Sequence, residues 1–408
     1  MTAPNGAIKF NNLTGSDTQS SGLGPAVAVY GSGASTTGAS NVVTGINTAG
    51  VSSGDLLWVQ SSSGRQFSII TTVDSGAQVT CDDNFDNTES GRTWAIGGKR
   101  ATIDSADSRR VFGADAKDGF ILELEHTGTA YDLTSQVDVS VSAGVQIHIK
   151  GSGSSRPVIR QTVSSPHFHG NEATNSLVFC FEYLQFTNSS ATPNVVFSPQ
   201  WNRGFGTNSI DCVFGDPTDQ LSSVSSNLTY GTHVFRKCEI KNTTSFGVNC
   251  GDGSPYLYDC AIHDCGSHGV RSFWGQPNLF SCLLYSNAGY GLYGQNRGFN
   301  VVNDCLFYNN TSGGIETDTN IPKSLNNNFF VSNGGYGVVL VNMSQFYKFS
   351  NNNAFYNNTS GEVSGGTLSN SITLTADPFV DAANGDFNIN NAAGGGAVLR
   401  STKYTLGG

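Results

Sequence analysis

A segment in the second half of the chain is repeated, and three successive copies carry a chemically versatile side chain at the same position. Arg271, Tyr293 and Glu316 follow one another at intervals of 22 and 23 residues. If the segments stack, these side chains share one surface, where a ring can stack on a sugar and charged groups can bond its hydroxyls. The glycan-binding candidates are Arg271, Trp274, Tyr293 and Arg297, with Asp252 and His268 in the same cluster. The alternative is an exposed face with ordinary solvated charges.

Catalytic candidates are carboxylates on the same or neighbouring copies of the segment. Glycosidic bonds are hydrolysed between two carboxyl groups, one on each side of the bond. Asp259 and Asp304 hold the same position two copies apart, and the spacing of paired strands predicts about 9.6 Å between their Cα atoms. Glu316 and Asp318 are the other two candidates. The alternative for the two aspartates is a role in turns, because each directly precedes a cysteine of the repeat.

A metal site has weaker support in the sequence. His167 and His169 alternate on a predicted strand and Glu172 follows them, so that three chains together could bind a metal ion at a trimer axis. An isolated His-x-His in a loop is more often incidental, and the cysteines outside the repeat lack the spacing of a zinc site. We therefore expect neither a bound metal nor a cofactor.

The candidates depend on a repeat of 22 to 25 residues. One position of the repeat is held in successive copies by Cys238, Cys260, Cys282, Cys305, Asn328 and Asn353. The residues two and ten positions later are apolar in every copy, and the residue four positions later is small and polar. Short alternating apolar runs between clusters of Asn, Gly and Ser indicate strands joined by turns.

A unit this short has no room for a strand and a crossover helix, so the units must bury their apolar faces by stacking about 4.8 Å apart. The sequence therefore predicts an all-β chain built on a right-handed parallel β-helix, a solenoid of parallel sheets. The composition agrees, because 50 glycines among 408 residues and 13% charged residues are typical of many tight turns.

The cysteines at the repeat position are predicted to be buried free thiols that pack as small apolar residues. The total of nine cysteines is odd, and stacked side chains that point the same way have poor geometry for a disulfide. Disulfide bonding is the alternative.

The remaining segments differ from the repeat. Residues 1–98 contain alternating runs with short turns, which predict a small N-terminal antiparallel β module for attachment or for capping. Asp104 or Ser105 can begin a short helix that covers the first turn of the solenoid. We place the β-helix at residues 99–375 and a C-terminal closing segment at residues 376–408.

The charge and hydropathy of the chain limit its partners. Lysines and arginines number 21 against 31 aspartates and glutamates, a net charge of −10, without a basic cluster. Nucleic acid and anionic membranes are therefore not expected as partners, and no apolar stretch is long enough for membrane insertion. The N-terminus lacks the pattern of a signal peptide, so we expect synthesis and assembly in the cytoplasm.

Two segments resemble known proteins. The run ADPFVDAANGDFNINNAAGGG, together with the repeat, resembles right-handed β-helix proteins of the pectate-lyase-like superfamily. The runs GDLLWV, SSGRQFS and ESGRTWAIGGKRAT resemble structural proteins encoded by tailed bacteriophages. The first resemblance implies the fold, which serves lyases, hydrolases, tailspikes and inert virion parts alike. The second implies a virion protein.

From this resemblance we expect a phage virion structural protein that is displayed on the particle, either as a tailspike or fibre or as a capsid decoration. Residues 1–98 would join it to other virion proteins, the chain would form a homotrimer, and its solenoid would bind a surface polysaccharide of the host. The alternative is an enzyme, a polysaccharide lyase or glycoside hydrolase. A third interpretation is a monomeric cytosolic scaffold unrelated to viruses.

Overall fold

The computed structural model describes residues 6–17, 19–103, 119–139, 145–170, 178–199, 206–225, 232–296, 299–317, 324–341 and 350–401. The chain divides into two compact units, Met1–Phe186 and Thr187–Gly408. Each unit contains coils of a parallel β-helix, in which three strands of one coil pair with the corresponding strands of the next.

The first unit contains a closed barrel of six antiparallel strands in the order β2-β3-β6-β5-β4-β7. Its strands are β2 (Val29–Thr36), β3 (Ser40–Thr44), β4 (Leu56–Ser61), β5 (Gly64–Ser75), β6 (Gln78–Phe85) and β7 (Glu89–Ile96). Leu57, Val59, Ile70, Val79 and Trp94 belong to the apolar cluster that fills it. Closure leaves the barrel without a free edge strand.

The same unit holds the first coils of the solenoid. Its sheet A strands are β1 (Ala7–Phe10), β8 (Phe120–Glu125), β11 (Gln146–Ser152) and β14 (Val178–Glu182). Sheet B contains β9 (Tyr131–Leu133), β12 (Val158–Gln161) and β15 (Gln185–Asn188), and the boundary between the two units falls within β15. A separate pair is formed by β10 (Val137–Val139) and β13 (Phe168–Gly170). Although β1 precedes the barrel in sequence, it pairs in parallel with β8.

The second unit contains the regular coils, and each coil passes through sheets A, B and C in turn. Sheet A consists of β17 (Gly206–Ile210), β19 (His233–Arg236), β22 (Tyr256–Tyr258), β25 (Asn278–Phe280), β28 (Val301–Asn303), β31 (Ser324–Asn326) and β34 (Ser350–Asn351). Sheet B consists of β18 (Val213–Phe214), β20 (Glu239–Lys241), β23 (Ala261–His263), β26 (Leu283–Tyr285), β29 (Leu306–Tyr308), β32 (Phe329–Val331), β35 (Ala354–Tyr356) and β37 (Ile372–Thr373). Sheet C consists of β21 (Val248–Cys250), β24 (Val270–Ser272), β27 (Tyr290–Gly294), β30 (Gly313–Thr317), β33 (Tyr336–Leu340) and β36 (Gly361–Ser364).

The second unit also contains β16 (Phe197–Pro199) and a C-terminal segment. That segment comprises the hairpin of β38 (Phe379–Asp381) and β39 (Asp386–Ile389), a 3-10 turn at Ala382–Asn384 and the short helix α1 (Gly396–Ser401). Phe387 packs on the rings of Tyr285 and Tyr308, at 5.3 and 5.5 Å between ring centres. The segment therefore covers the outer face of sheet B in the coils where that face is apolar, around Leu306 and Phe329.

Two left-handed residues bound each short strand of sheet B. The residue before the repeat cysteine and the residue four positions after it have φ near +50°; Asp259 and Asp264, for example, have φ of 53° and 52°. Asp, Asn and Ser tolerate this conformation better than other residues with a side chain. This explains why the sequence is small and polar at the second of these positions.

The cysteines and asparagines of the repeat form one continuous hydrogen-bonded ladder at the bend between sheets A and B. The Sγ of Cys282 donates to the Leu257 carbonyl at 3.4 Å, and the Nδ2 of Asn328 donates to the equivalent Val302 carbonyl at 2.9 Å. The Oδ1 of Asn328 in turn accepts the backbone N–H of Cys305, in the same preceding coil, at 2.9 Å. Thiol and amide thus occupy the same place, the thiol as the weaker partner.

A second ladder, formed by Asn287, Asn310, Asn333 and Asn358, lies at the bend between sheets B and C. Asn310 Nδ2 donates to the Leu284 carbonyl at 2.9 Å and to Asn333 Oδ1 at 3.1 Å. Its Oδ1 accepts from the Nδ2 of Asn287 at 2.9 Å and from the backbone N–H of Asn287 at 3.2 Å. Every polar group of this buried amide therefore has a partner.

The glycine column of the repeat has a steric cause. A Cβ at Gly291 would lie 2.5 Å from Cδ1 of Phe307 and 3.1 Å from Nδ2 of Asn310. At Gly247 it would lie 2.7 Å from Cγ2 of Ile262. The turn into sheet C thus passes so close to the inner side chains and the second ladder that no side chain fits.

The predicted fold class is confirmed: the described chain is almost entirely β, with a parallel β-helix and a small antiparallel module. The apolar columns are inward ladders, as Phe307, Phe330 and Phe355 show by stacking at 5.0 and 5.1 Å. The predicted capping helix at Asp104 or Ser105 lies outside the described residues. The boundaries at residues 98 and 375 stay predictions.

All nine cysteines are free; eight are buried and Cys180 is half-buried. Burial raises the pKa of Cys81 and Cys265 to about 12, so these thiols stay protonated and unreactive. We predict that about one thiol per chain, Cys180, reacts quickly with a chromogenic disulfide reagent in the folded protein, and nine after denaturation without reductant. The Cys180→Ser variant should lose the fast phase, whereas Cys238→Ser should keep it. Fewer than nine thiols after denaturation would reveal a disulfide.

The second ladder should contribute measurably to stability. Replacing Asn310 by Ala removes four hydrogen bonds and leaves buried groups without partners, which costs about 2–4 kcal/mol of unfolding free energy. Denaturant unfolding measures this as a lower midpoint. The neighbouring Thr311 is exposed, so Thr311→Ala should change the free energy by less than about 0.5 kcal/mol. Equal midpoints for the two variants would contradict the role of the ladder.

Candidate functional site

Part of the sequence-predicted cluster lies on the outer face of sheet C. The register pairs Arg271 with Tyr293 and Tyr293 with Glu316, so these three side chains form one outward column on successive coils. A second column, three residues earlier in each coil, contains Phe246, His268 and Tyr290. Strand alternation points Arg271 and Tyr293 outwards, because Val270 and Leu292 beside them are buried. His268 and Tyr290, at the turn into the strand, are also partly exposed.

Rings from the two columns stack on one another along the solenoid. His268 lies parallel to Phe246 at 5.8 Å and to Tyr293 at 4.5 Å between ring centres, with Tyr290 at 5.9 Å. The faces of these rings are therefore turned largely towards neighbouring rings, and their edges are left for contact with a ligand. One face of the Tyr293 ring is thus taken up by His268.

Arg271 is held at one end of this stack. Its guanidinium carbon lies 4.9 Å from the ring centre of Phe246 and 5.3 Å from that of Phe273. One of its nitrogens donates to Oε1 of Gln295 at 3.3 Å. Cation–π contacts on two rings fix the position of the guanidinium and keep it partly exposed, as a ligand-binding arginine requires.

Glu316 lies at the other end of the column and bonds Tyr290. Burial, and then the hydrogen bond to the Glu316 carboxylate, raise the pKa of Tyr290 well above its usual range. Tyr290 therefore keeps its proton at neutral pH and cannot serve as a base there. The pair presents one negative charge and one hydroxyl to a ligand.

His268 is kept neutral by its surroundings. The backbone N–H of Tyr290 donates to its Nδ1 at 2.9 Å, so the proton of the neutral ring is on Nε2. Burial, followed by the positive charge of Arg271, lowers the pKa of His268 to about 4. The stack consequently carries no cationic imidazole at neutral pH.

Trp274 is the aromatic residue of this region with the most exposed surface, at 44%. It lies two residues after the end of β24 and contacts the ring of Phe273 edge to face, with 5.6 Å between ring centres. Trp274 nevertheless keeps nearly half of its surface exposed. An exposed aromatic ring of this kind can stack on a sugar.

Two other catalytic candidates, Asp259 and Asp304, are not part of this face. Asp259 and Asp304 lie at the bend between sheets A and B with φ of 53° and 57°, as turn residues, and Asp304 Oδ1 accepts from Asn327 Nδ2 at 3.1 Å. Arg297 and Asp318 lie outside the described residues. Within the two outward columns, all of whose members are described, Glu316 is the one carboxylate. The described members of these columns therefore offer groups that can bind a ligand.

One charged cluster was missed from the sequence. His263 on sheet B lies between two carboxylates. Its Nε2 is 3.1 Å from Oε1 of Glu239, and its Nδ1 is 2.7 Å from Oδ2 of Asp264. Both bonds exist together only when both ring nitrogens carry protons. The hydrogen bond from His263 is the main cause that lowers the pKa of Glu239 to about 2. The sequence feature that could have revealed this charged cluster is the outward position of residue 263, directly before the left-handed residue 264.

The described residues contain no group of three or more His, Cys, Asp or Glu side chains arranged to hold a metal ion. His167 is buried against Phe186, and His169 Nδ1 lies 3.1 Å from Asp138 Oδ1. Glu172, the third member of that candidate set, lies outside the described residues. No helix in the described part of the chain has the length and hydropathy needed to cross a bilayer.

Comparison with known proteins agrees with the fold. Residues 221–373 match the family model of the right handed beta helix region. No curated protein matches the chain significantly. The class that the fold defines is thus a right-handed parallel β-helix protein.

Solved structures to which the chain is weakly similar belong to several kinds of protein. ORF18 of Geobacillus virus E2 is 12% identical over 65% of this chain and 56% of its own, with a TM-score of 0.43. The catalytic domain of a GH87 α-1,3-glucanase is 10% identical over 86% of this chain and 88% of its own, with a TM-score of 0.35. The tailspike protein gp49 from Pseudomonas phage LKA1 is 11% identical over 88% and 64%, with a TM-score of 0.24. These similarities concern the fold alone, and the chain spans little more than half of ORF18.

The environment of His268 predicts its titration. Its folded pKa of about 4 lies below the 6.5 of an ordinary histidine, so the unfolded chain binds the proton more tightly. The group therefore stabilises the fold fully above pH 6.5, and this contribution declines as the pH falls towards 4. We expect an NMR titration of the His268 ring, assigned with His268→Gln, to have its midpoint near pH 4, against about 6.5 in denaturant. A midpoint near 6.5 in the folded protein would contradict the packing described.

Proposed function

We propose that this chain is a phage virion protein whose β-helix binds a glycan of the host surface through the outer face of sheet C. The observation that supports binding is one exposed ring, Trp274, three residues after Arg271, whose outward column continues through Tyr293 to Glu316. Ring stacking together with charged and hydroxyl groups is the combination that holds a sugar.

The virion part of the proposal is supported by the sequence resemblance of residues 1–98 and by the barrel found there. A closed barrel beside the first coils is a self-contained module that can join other virion proteins without disturbing the solenoid. Trimer formation and the choice between a tail and a head position belong to the same proposal.

Binding is favoured over cleavage by the charge pattern. Hydrolysis requires two carboxyl groups, whereas the two outward columns contain Glu316 alone. Elimination requires a base with a pKa near neutrality. The pKa of Tyr290 is raised and that of His268 is lowered, so neither group meets this requirement.

Purified protein applied to an array of bacterial capsular and lipopolysaccharide glycans tests the proposal. We expect a glycan to be retained, and Trp274→Ala to weaken its binding about tenfold, because a central aromatic anchor commonly contributes more than 1 kcal/mol. Tyr30→Ala is the matched control, since Tyr30 is an exposed ring, at 53%, on the barrel. Labelling of purified particles by an antibody against the chain tests the location.

The opposite outcomes are equally clear. Retention of no glycan by the wild-type chain would overturn the binding proposal, and unlabelled particles would overturn the virion proposal. Release of shorter sugars from the retained glycan, abolished by Glu316→Gln, would establish the enzyme alternative instead.

A further inference from the structure

Two exposed aromatic rings lie at one corner of the solenoid, where the chain passes from sheet C to sheet A. Trp274 is 44% exposed and Tyr256 is 39% exposed. Among the described residues of the second unit, these are the aromatic side chains with the largest exposed fraction. Trp274 lies in the corner of one coil, and Tyr256 begins β22 directly after the corner of the preceding coil.

The two corners are bonded to each other at several points. The backbone N–H of Trp274 donates to the Gly251 carbonyl at 2.8 Å, and that of Asn278 donates to the Pro255 carbonyl at 2.8 Å. Between them, the N–H of Gln276 donates to Ser254 Oγ at 3.0 Å. Bonds at the start, middle and end of both corners hold the backbones beneath Trp274 and Tyr256 in a fixed relation.

Tyr256 differs from the other rings of its strand. Tyr258 is enclosed between the guanidinium of Arg236, 4.5 Å away, and the ring of Phe280, 5.1 Å away. Tyr256 lies parallel to Tyr258 at 6.3 Å and remains exposed. An exposed ring on a rigid, hydrogen-bonded corner loses little conformational freedom when a ligand binds.

We propose that this corner extends the glycan site, with Trp274 and Tyr256 each stacking on a different sugar ring of one glycan. Trp274 would contact the part of the glycan that lies over sheet C, and Tyr256 the part that continues round the corner towards sheet A. The inference rests on the proposed function and adds a second platform and a direction across the coils.

The charges around the corner indicate the kind of glycan. The nearby charged side chains are of both signs: Asp252 and Asp259 are negative, and Arg236 and Arg271 are positive. Among the described residues around this corner these charges balance, which favours an uncharged ligand over a polyanion or a polycation. A segment of uncharged hexoses, which offers flat C–H faces to both rings, fits this surface best.

The test uses the full chain and fragments of the glycan that the array identifies, from one sugar ring upwards. We expect Trp274→Ala to weaken binding of all fragments that bind. Tyr256→Ala should weaken binding of the longer fragments about tenfold and leave the shortest unchanged, because a short fragment reaches one platform alone. Tyr256→Phe should retain binding, since it keeps the ring, and Tyr30→Ala controls for loss of an exposed tyrosine.

Each outcome decides a different statement. If Trp274→Ala weakens binding and Tyr256→Ala has no effect at any fragment length, the second platform is wrong and the proposed function stands. If Tyr256→Ala weakens binding of a single sugar ring as strongly as that of long fragments, the two rings do not bind separate sugars. If no glycan binds the wild-type chain, the proposed function and this extension both fail.

Discussion

The structure depends on hydrogen bonding between side chains of successive coils at the two ends of sheet B. Each strand of that sheet has three residues in the regular coils, too few to fix its own register. The ladder amides supply the register, because each one bonds a carbonyl of the preceding coil and accepts an N–H from the same direction, as Asn310 does. Buried and fully satisfied polar groups allow one arrangement, whereas apolar packing would permit slippage. The glycine at the turn into sheet C and the left-handed residues beside the strand follow from this arrangement.

The sequence predicts the fold well because a repeat reports on many coils at once. The column containing Cys282 and Asn328 and the apolar columns were recognised from alternation and period. The second ladder was missed, because Cys265 holds its place in one coil and asparagine is also an ordinary turn residue. The packing of the C-terminal segment on sheet B was beyond prediction, since nothing local links Phe387 to Tyr285.

At the candidate site, too, one part follows from the sequence and another part does not. The alignment of Arg271, Tyr293 and Glu316 follows from the repeat, because equal positions on successive coils become neighbours. The direction of the ring faces does not follow, since it depends on how rings in two adjacent columns pack. His268 stacks on Tyr293 and takes up a face that a sugar would use. The recognition surface therefore combines ring edges with the exposed ring of Trp274, a distinction that residue types alone cannot convey.

The spacing between the ladders has a consequence for how such a protein can change. From the first ladder through β24 and its counterparts the number of residues is constant, whereas five residues separate β24 from β25 and nine separate β33 from β34. Insertions are thus absorbed at one corner without altering a single ladder contact. Sequence drift can remodel that corner, where Trp274 lies, while the rod keeps its register. In each coil, changes at the corner can alter recognition while the ladders that hold the scaffold stay the same.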